Sequence, residues 1–155
     1  MRAHVGTPIQ VQRRRRIFPT PLTAPLLFKV TDFAVTALLT HIECWKQFNH
    51  FISIARAKKF GQADDIHFLE IKSIIVQELE LIFASIEVQS PTREEIHGLI
   101  TNAPSLRFLS EMSEGGLRGL ETQWHKIYIG WHAILGQLKV KQRTEESKSF
   151  WGANK

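Results

Sequence analysis

Apolar residues recur at steps of three and four along three long stretches of the chain, which is the spacing of one face of an α-helix. The first stretch begins at Thr31 or Asp32, either of which can cap a helix, and it ends before Gly61. Its apolar face consists of Ala34, Leu38, Ile42, Trp45, Phe48, Ile52 and Ala55. The pattern predicts a long helix between these limits.

A second long helix is predicted to open at Asp64 or Asp65. Its apolar face consists of Phe68, Ile71, Ile75, Leu79, Ile82 and Ile86. Leu69, Val76 and Phe83 widen that face. An apolar surface of this width indicates contact with more than one neighbouring element.

Proline and glycine interrupt the chain after the second helix. Ser90 is the predicted cap of a short third helix and Pro91 its first-turn residue, and Pro104 ends it. Another short helix is predicted over residues 104–112. Gly115–Gly116 is predicted to break the chain once more.

The last helix has the clearest periodicity. Its apolar face consists of Leu117, Leu120, Trp124, Ile127, Trp131, Ile134 and Leu138. The alternating steps of three and four are close to those of a coiled-coil seam. The helix is predicted to end at about Arg143, and residues 144–155 are predicted as a polar tail.

These elements predict an all-α protein with one four-helix-bundle-like domain over residues 31–143, made of three long helices and one broken segment in antiparallel order. Residues 1–30 hold four of the six prolines and are predicted as an extended basic arm. No alternation of strand period and no internal repeat occurs in the sequence. Apolar residues make up 43% and charged residues 23%, which excludes a wholly disordered chain.

Positive charge is concentrated in the arm. The 155 residues carry a net charge of +5, yet 14 Lys and Arg face 15 Asp and Glu from Asp32 onward. Before Asp32 stand Arg2, Arg13, Arg14, Arg15, Arg16 and Lys29, with no acidic residue among them. Four consecutive guanidinium groups repel one another and attract phosphate or carboxylate. Arg13, Arg14, Arg15 and Arg16 are therefore the predicted anion-binding residues.

The sequence favours a cytoplasmic protein. Cys44 is the single cysteine, so no disulfide can form within the chain. The longest uncharged runs are about a dozen residues, whereas a membrane-spanning helix needs roughly 20. The Arg-rich, acid-poor beginning also resembles an organelle presequence, but no serine precedes Ser53.

Histidines at helical spacing from a second ligand raise the alternative of a metal site. The strongest pairs are Glu94 with His97 and Glu121 with His125, and His41 and His67 are further candidates. The number of such pairs is no higher than chance gives for the histidines in the predicted helices. No bound cofactor is therefore expected.

No catalytic motif stands out in the chain. It contains no nucleophile elbow, no phosphate-binding glycine loop and no zinc-protease motif, and Cys44 is predicted to be a small buried hydrophobe. The sequence therefore favours a non-enzymatic helical interaction or adaptor module. Its arm would dock an anionic partner, either nucleic acid or an acidic protein surface. The alternative is a helical metalloprotein or metal-dependent enzyme, and self-association through the bundle stays open.

Overall fold

The computed structural model describes residues 23–153 of the chain, with side chains from Val30 onward. This range forms five α-helices and contains no strand: α1 (Thr23–Ala57), α2 (Gln62–Ser85), α3 (Arg93–Asn102), α4 (Leu106–Glu111) and α5 (Glu114–Gly152). The prediction of an all-α bundle is confirmed. The predicted anion-binding residues Arg13, Arg14, Arg15 and Arg16 lie outside the described residues.

Both α2 and α5 run antiparallel to α1, so α2 and α5 run in the same direction. Phe51 of α1 contacts Phe68 of α2, and His41 of α1 meets Glu78 further along α2, so these two helices run in opposite directions. The contact of Trp124 with the carbonyl of Trp45 and that of Gln142 with Asp32 give the same relation between α1 and α5. α1 is thus the central helix, packed against α2, α4 and α5.

The short helices α3 and α4 together take the fourth position of the bundle. α3 packs mainly against α5, and α4 packs against α1 and α2. The Lys72 ammonium of α2 donates to the carbonyl of Ala103, 2.7 Å away, at the break between them. The predicted broken segment is therefore present, and its interruption is held by a side chain from α2.

The helices α1 and α5 are both longer than their apolar pattern indicates. α1 begins at Thr23, eight residues before the predicted start at Thr31. Pro25 does not prevent this, because it lies in the first turn, where a backbone N–H has no partner within the helix. α5 continues past Arg143 to Gly152. Residues 144–151 include neither glycine nor proline, so no residue of this stretch interrupts the helix.

Two predicted helix starts are corrected by the structure. Thr92, rather than Ser90, caps α3: its hydroxyl accepts from the N–H of Glu95, and the Glu95 carboxylate accepts from the N–H of Thr92. The Ser90–Pro91 peptide precedes the helix and is cis. Gly115–Gly116 does not break the chain but lies in the first turn of α5, which Ser113 caps.

The core follows the predicted apolar faces. Trp45, Phe48, Phe68 and Trp131 are completely buried at its centre. Cys44 is buried beside them, as predicted. Such large rings contribute several kcal/mol each to folding by the area they remove from water.

The loop before α3 lies directly on the backbone of α5. A β-carbon at Gly130 would sit 2.8 Å from the ring Cδ of Pro91, closer than real β-carbons approach other atoms. The absence of a side chain at Gly130 thus allows the loop to reach α5.

The helices differ in length, and the difference shapes one end of the molecule. α1 and α5 have 35 and 39 residues, about 52 and 58 Å, whereas α2 has 24, about 36 Å. The first turns of α1 and the last turns of α5 therefore extend beyond α2. No helix of the described range is both long enough and apolar enough to span a membrane.

Candidate functional site

Most cations of the bundle are paired within it. The guanidinium of Arg56 on α1 donates two parallel hydrogen bonds of 2.8 Å to the carboxylate of Glu121 on α5. Its Nε also lies 3.4 Å from Glu114. The hydrogen bonds from Arg56 lower the pKa of Glu121. We call Arg56, Glu114 and Glu121 the paired end, since they lie where α1 ends and α5 begins.

Other cations up to residue 138 follow the same rule. Ion pairs join Lys46 to Glu43, Arg93 to Glu80, Arg107 to Glu111, Arg118 to Glu114 and Lys126 to Glu95. Three cations form no ion pair with a described residue. They are Lys58 and Lys59, in the turn after α1, and Lys72, which donates to the backbone carbonyls of Ala103 and Pro104 instead. Residues 30–138 hold nine Lys and Arg against thirteen Asp and Glu, a balance of −4.

The last turns of α5 break this rule. Their cations are Lys139, Lys141, Arg143 and Lys148, all exposed, and none forms an ion pair with another described residue. Two acidic residues lie among them, so residues 139–152 carry a balance of +2. We call residues 139–152 the basic end.

The basic end lies beside the origin of the arm. The Gln142 amide donates to the carboxylate of Asp32, which places these turns of α5 against the first turns of α1. Arg16 precedes Thr23, the first residue of α1, by seven positions. Seven residues reach about 25 Å at most, so chain length alone keeps Arg16 within that distance of the start of α1.

Two large aromatic side chains project from the basic end. Phe150 is 69% exposed and Trp151 is 74% exposed, the two highest values among the large apolar side chains of the described range. Their rings contact each other edge to face, with centroids 6.1 Å apart, and neither belongs to the core. Exposed aromatic rings beside unpaired cations are typical of a surface that binds an anionic, ring-bearing partner.

A polar cluster around His41 is buried in the bundle. His41 of α1 is inaccessible to solvent and joins two partners. The indole N–H of Trp45 donates to its Nε2 at 3.0 Å, so the ring's proton resides on Nδ1, which lies 3.3 Å from Glu78. Burial lowers the pKa of His41 to about 4 and raises that of Glu78. The ring is therefore neutral at pH 7 and serves as a structural link.

The indole of Trp131 closes this cluster. Its ring meets His41 edge to face with centroids 4.9 Å apart. Its N–H is buried and has no hydrogen-bond partner among the described residues. Burial and the nearby carboxylate of Glu78 raise the pKa of the Cys44 thiol, so Cys44 has none of the character of a reactive thiolate.

The residues of the metal alternative are not assembled into one site. Glu94 and His97 are exposed on α3, and His125 is exposed on α5. Glu121 is held by Arg56, and His67 packs edge to face on Phe51. Nowhere in residues 30–153 do three His, Cys, Asp or Glu side chains come together in a group suited to a metal ion.

A shallow cleft lies between α3 and α5. Its volume is about 310 Å³, with Leu99 and Ile127 among its lining residues. The cation at its edge, Lys126, is already paired with Glu95. The cleft thus presents no unpaired cation, in contrast to the basic end.

The sequence did not predict the basic end, because residues 144–155 were interpreted as a polar tail and not as part of the last helix. The available signal was the absence of helix-breaking residues before Gly152, together with Lys and Arg on a helix whose acidic neighbours are few.

No protein-family model, no curated protein and no solved structure matches this chain.

Proposed function

We propose that this protein is a non-enzymatic helical binding module that docks nucleic acid through its arm and its basic end. The observation that carries the proposal is the contrast in ion pairing. The bundle neutralises most of its cations internally, whereas none of the four cations of the basic end is paired with a described residue.

Nucleic acid fits this surface better than an acidic protein does. Arg13–Arg16 and the basic end together supply eight cations, and the phosphate backbone of nucleic acid carries a dense and regular negative charge. The exposed rings of Phe150 and Trp151 add contacts that bases can satisfy and carboxylates cannot.

The net negative charge of the bundle favours one orientation of a bound polyanion. Residues 30–138 have a balance of −4 and repel a polyanion, while the arm and the basic end attract one. The field therefore steers the partner to one end of the molecule. Such steering raises the association rate and sets the orientation of docking.

The test measures the salt dependence of oligonucleotide binding. Each phosphate contact contributes a slope of about −0.9 on duplex and about −0.7 on a single strand to the logarithm of affinity against the logarithm of salt. Changing Arg13, Arg14, Arg15 and Arg16 together to Ala should flatten the slope by about 3.6 on duplex or about 2.8 on a single strand. Affinity should fall without regard to base sequence.

A matched control uses two free lysines far from the basic end. The double variant Lys58→Ala, Lys59→Ala should leave the slope unchanged, whereas Arg13→Ala with Arg14→Ala should flatten it. Intact protein that binds neither RNA nor DNA near physiological salt would contradict the proposal. Binding to polyglutamate without binding to oligonucleotides would assign the arm to an acidic protein surface instead.

A further inference from the structure

The outward side of the basic end combines charge and rings in a regular order. Lys139, Arg143 and Phe150 lie within about 40° of one another around α5, along a line of about 16 Å. Trp151 lies on the adjacent line, in register with Val140. All five side chains are exposed.

Lys148 and Lys141 bound this surface on its other side. They are seven residues apart and therefore lie almost on one line of the helix, beyond Trp151 and Val140. The aromatic pair is thus flanked by cations on both sides. Glu146 is the one exposed acidic residue in the segment.

We infer that the outward face of α5 from Lys139 to Trp151 is a platform for single-stranded nucleic acid, in which bases stack on Phe150 and Trp151 while phosphates contact Lys139, Arg143 and Lys148. The inference rests on the proposed function and assigns to it a strand type and a set of residues. Rings stack on any base face that is free, so the platform does not depend on base identity.

A duplex does not satisfy this surface as well as a single strand does. In a duplex the base faces are covered by their neighbours in the stack, so Phe150 and Trp151 have no base face on which to stack. The two rings of Phe150 and Trp151 would then remain exposed. A single strand covers both the rings and the cations.

The test follows the binding of a short oligothymidylate to the full chain. Trp45 and Trp131 are buried and Trp124 is half-buried, so Trp151 is the tryptophan most accessible to a bound base. Stacking should quench its fluorescence. Trp151→Ala should weaken binding about tenfold with an unchanged salt slope, because stacking is not ionic.

Two control variants separate stacking from general damage. Trp151→Phe keeps a ring and should restore most of the affinity. Phe108→Ala removes a half-exposed aromatic ring from α4, outside the basic end, and should leave affinity unchanged. Lys139→Ala with Lys148→Ala should flatten the salt slope by about 1.4 on the single strand.

The outcomes distinguish the platform from the wider proposal. If Trp151→Ala binds as tightly as the unchanged protein, or if duplex binds at least as tightly as the single strand, the platform is wrong while docking through the arm stands. If no oligonucleotide binds, both proposals fail. A blue shift of Trp151 on vesicles rich in phosphatidylserine, without oligonucleotide binding, would make the surface a lipid contact and overturn both.

Discussion

The two ends of the long helices use their charges in opposite ways. At the paired end, Arg56 is bound by Glu121 and Glu114, and its guanidinium ties α1 to α5. At the basic end, Lys139, Lys141, Arg143 and Lys148 have no such partner in the described chain. The same two helices therefore carry charges that are paired within the bundle at one end and cations that are unpaired among the described residues at the other.

This difference separates folding from binding along one pair of helices. An ion pair that is already made contributes modestly to stability and offers nothing to a ligand. A free cation contributes nothing to stability and keeps its full attraction for a phosphate. Changes in the bundle should therefore alter stability, and changes at the basic end should alter affinity.

The largest expected effect belongs to the core between the two ends. Trp131→Ala should lower the free energy of unfolding by about 3–5 kcal/mol, because it removes a fully buried ring. Urea denaturation measures the change. Trp131→Phe should cost less, since it keeps a ring and also removes a buried N–H without a partner.

Oligonucleotide affinity of Trp131→Ala, measured where the variant is fully folded, should stay at its original value. A loss of stability below about 1 kcal/mol would show that the face of Trp131 is not a packed core.

Acid should weaken the bundle through His41. Because burial lowers the pKa of His41 from 6.5 to about 4, the unfolded chain takes up a proton before the folded one does. Stability should be lost as pH falls from about 6.5 to 4, by up to about 3 kcal/mol. Glu78 offsets part of this loss. Because burial raises its pKa, the folded protein protonates Glu78 before the unfolded chain does as pH falls, and this proton uptake stabilises the fold.

Urea denaturation over this pH range tests the point, with His41→Gln as the control variant. Its stability should depend less on pH, because the other histidines of the described range are exposed. An equally steep loss in the variant would assign the acid sensitivity to another group.

A smaller effect is expected at the paired end. Arg56→Ala should lower the free energy of unfolding by about 1 kcal/mol, as for a bidentate pair that is partly exposed to solvent. The loss should shrink as pH falls below the ordinary carboxyl range, because Glu121 is then protonated and the pair no longer forms. Stability equal to that of the unchanged protein at pH 7 would show that the pair is only a contact.

The smallest effect sharpens the comparison most. Lys139→Ala combined with Lys148→Ala should change the free energy of unfolding by less than about 0.5 kcal/mol, since both side chains are exposed and neither forms an ion pair with a described residue. Thermal and urea denaturation measure it. A loss as large as that of Arg56→Ala would mean that these lysines stabilise the fold and are not reserved for a ligand.

The bundle was predictable because burial leaves a period in the sequence. The faces of the three long helices could be read from Leu38, Ile75 and Trp131 and their neighbours at steps of three and four. The ends of helices leave a weaker trace. Thr92 and Ser90 are both good caps by type, and only the position of Glu95 relative to the folded backbone selects Thr92.

The candidate site was less predictable, because exposed helix has no apolar period to reveal it. Residues 144–152 are polar, and the same composition suits a tail and a solvated helix. The free state of Lys139 or Lys148 depends on which carboxylates folding brings near, and a linear pattern does not contain that information. His41 was considered as a metal ligand, whereas Trp45 and Glu78 engage both of its ring nitrogens.

One tightly constrained position of the bundle, Gly130, has no side chain. Because a β-carbon at Gly130 would collide with the ring of Pro91, any substitution there must move the loop that leads into α3. In a lineage that keeps this fold, we expect drift in the surface residues outside the basic end and exchange among the core aliphatics, with glycine retained at position 130. A random-mutagenesis screen for folded protein would show the same bias, and Gly130→Ala would be depleted from the survivors.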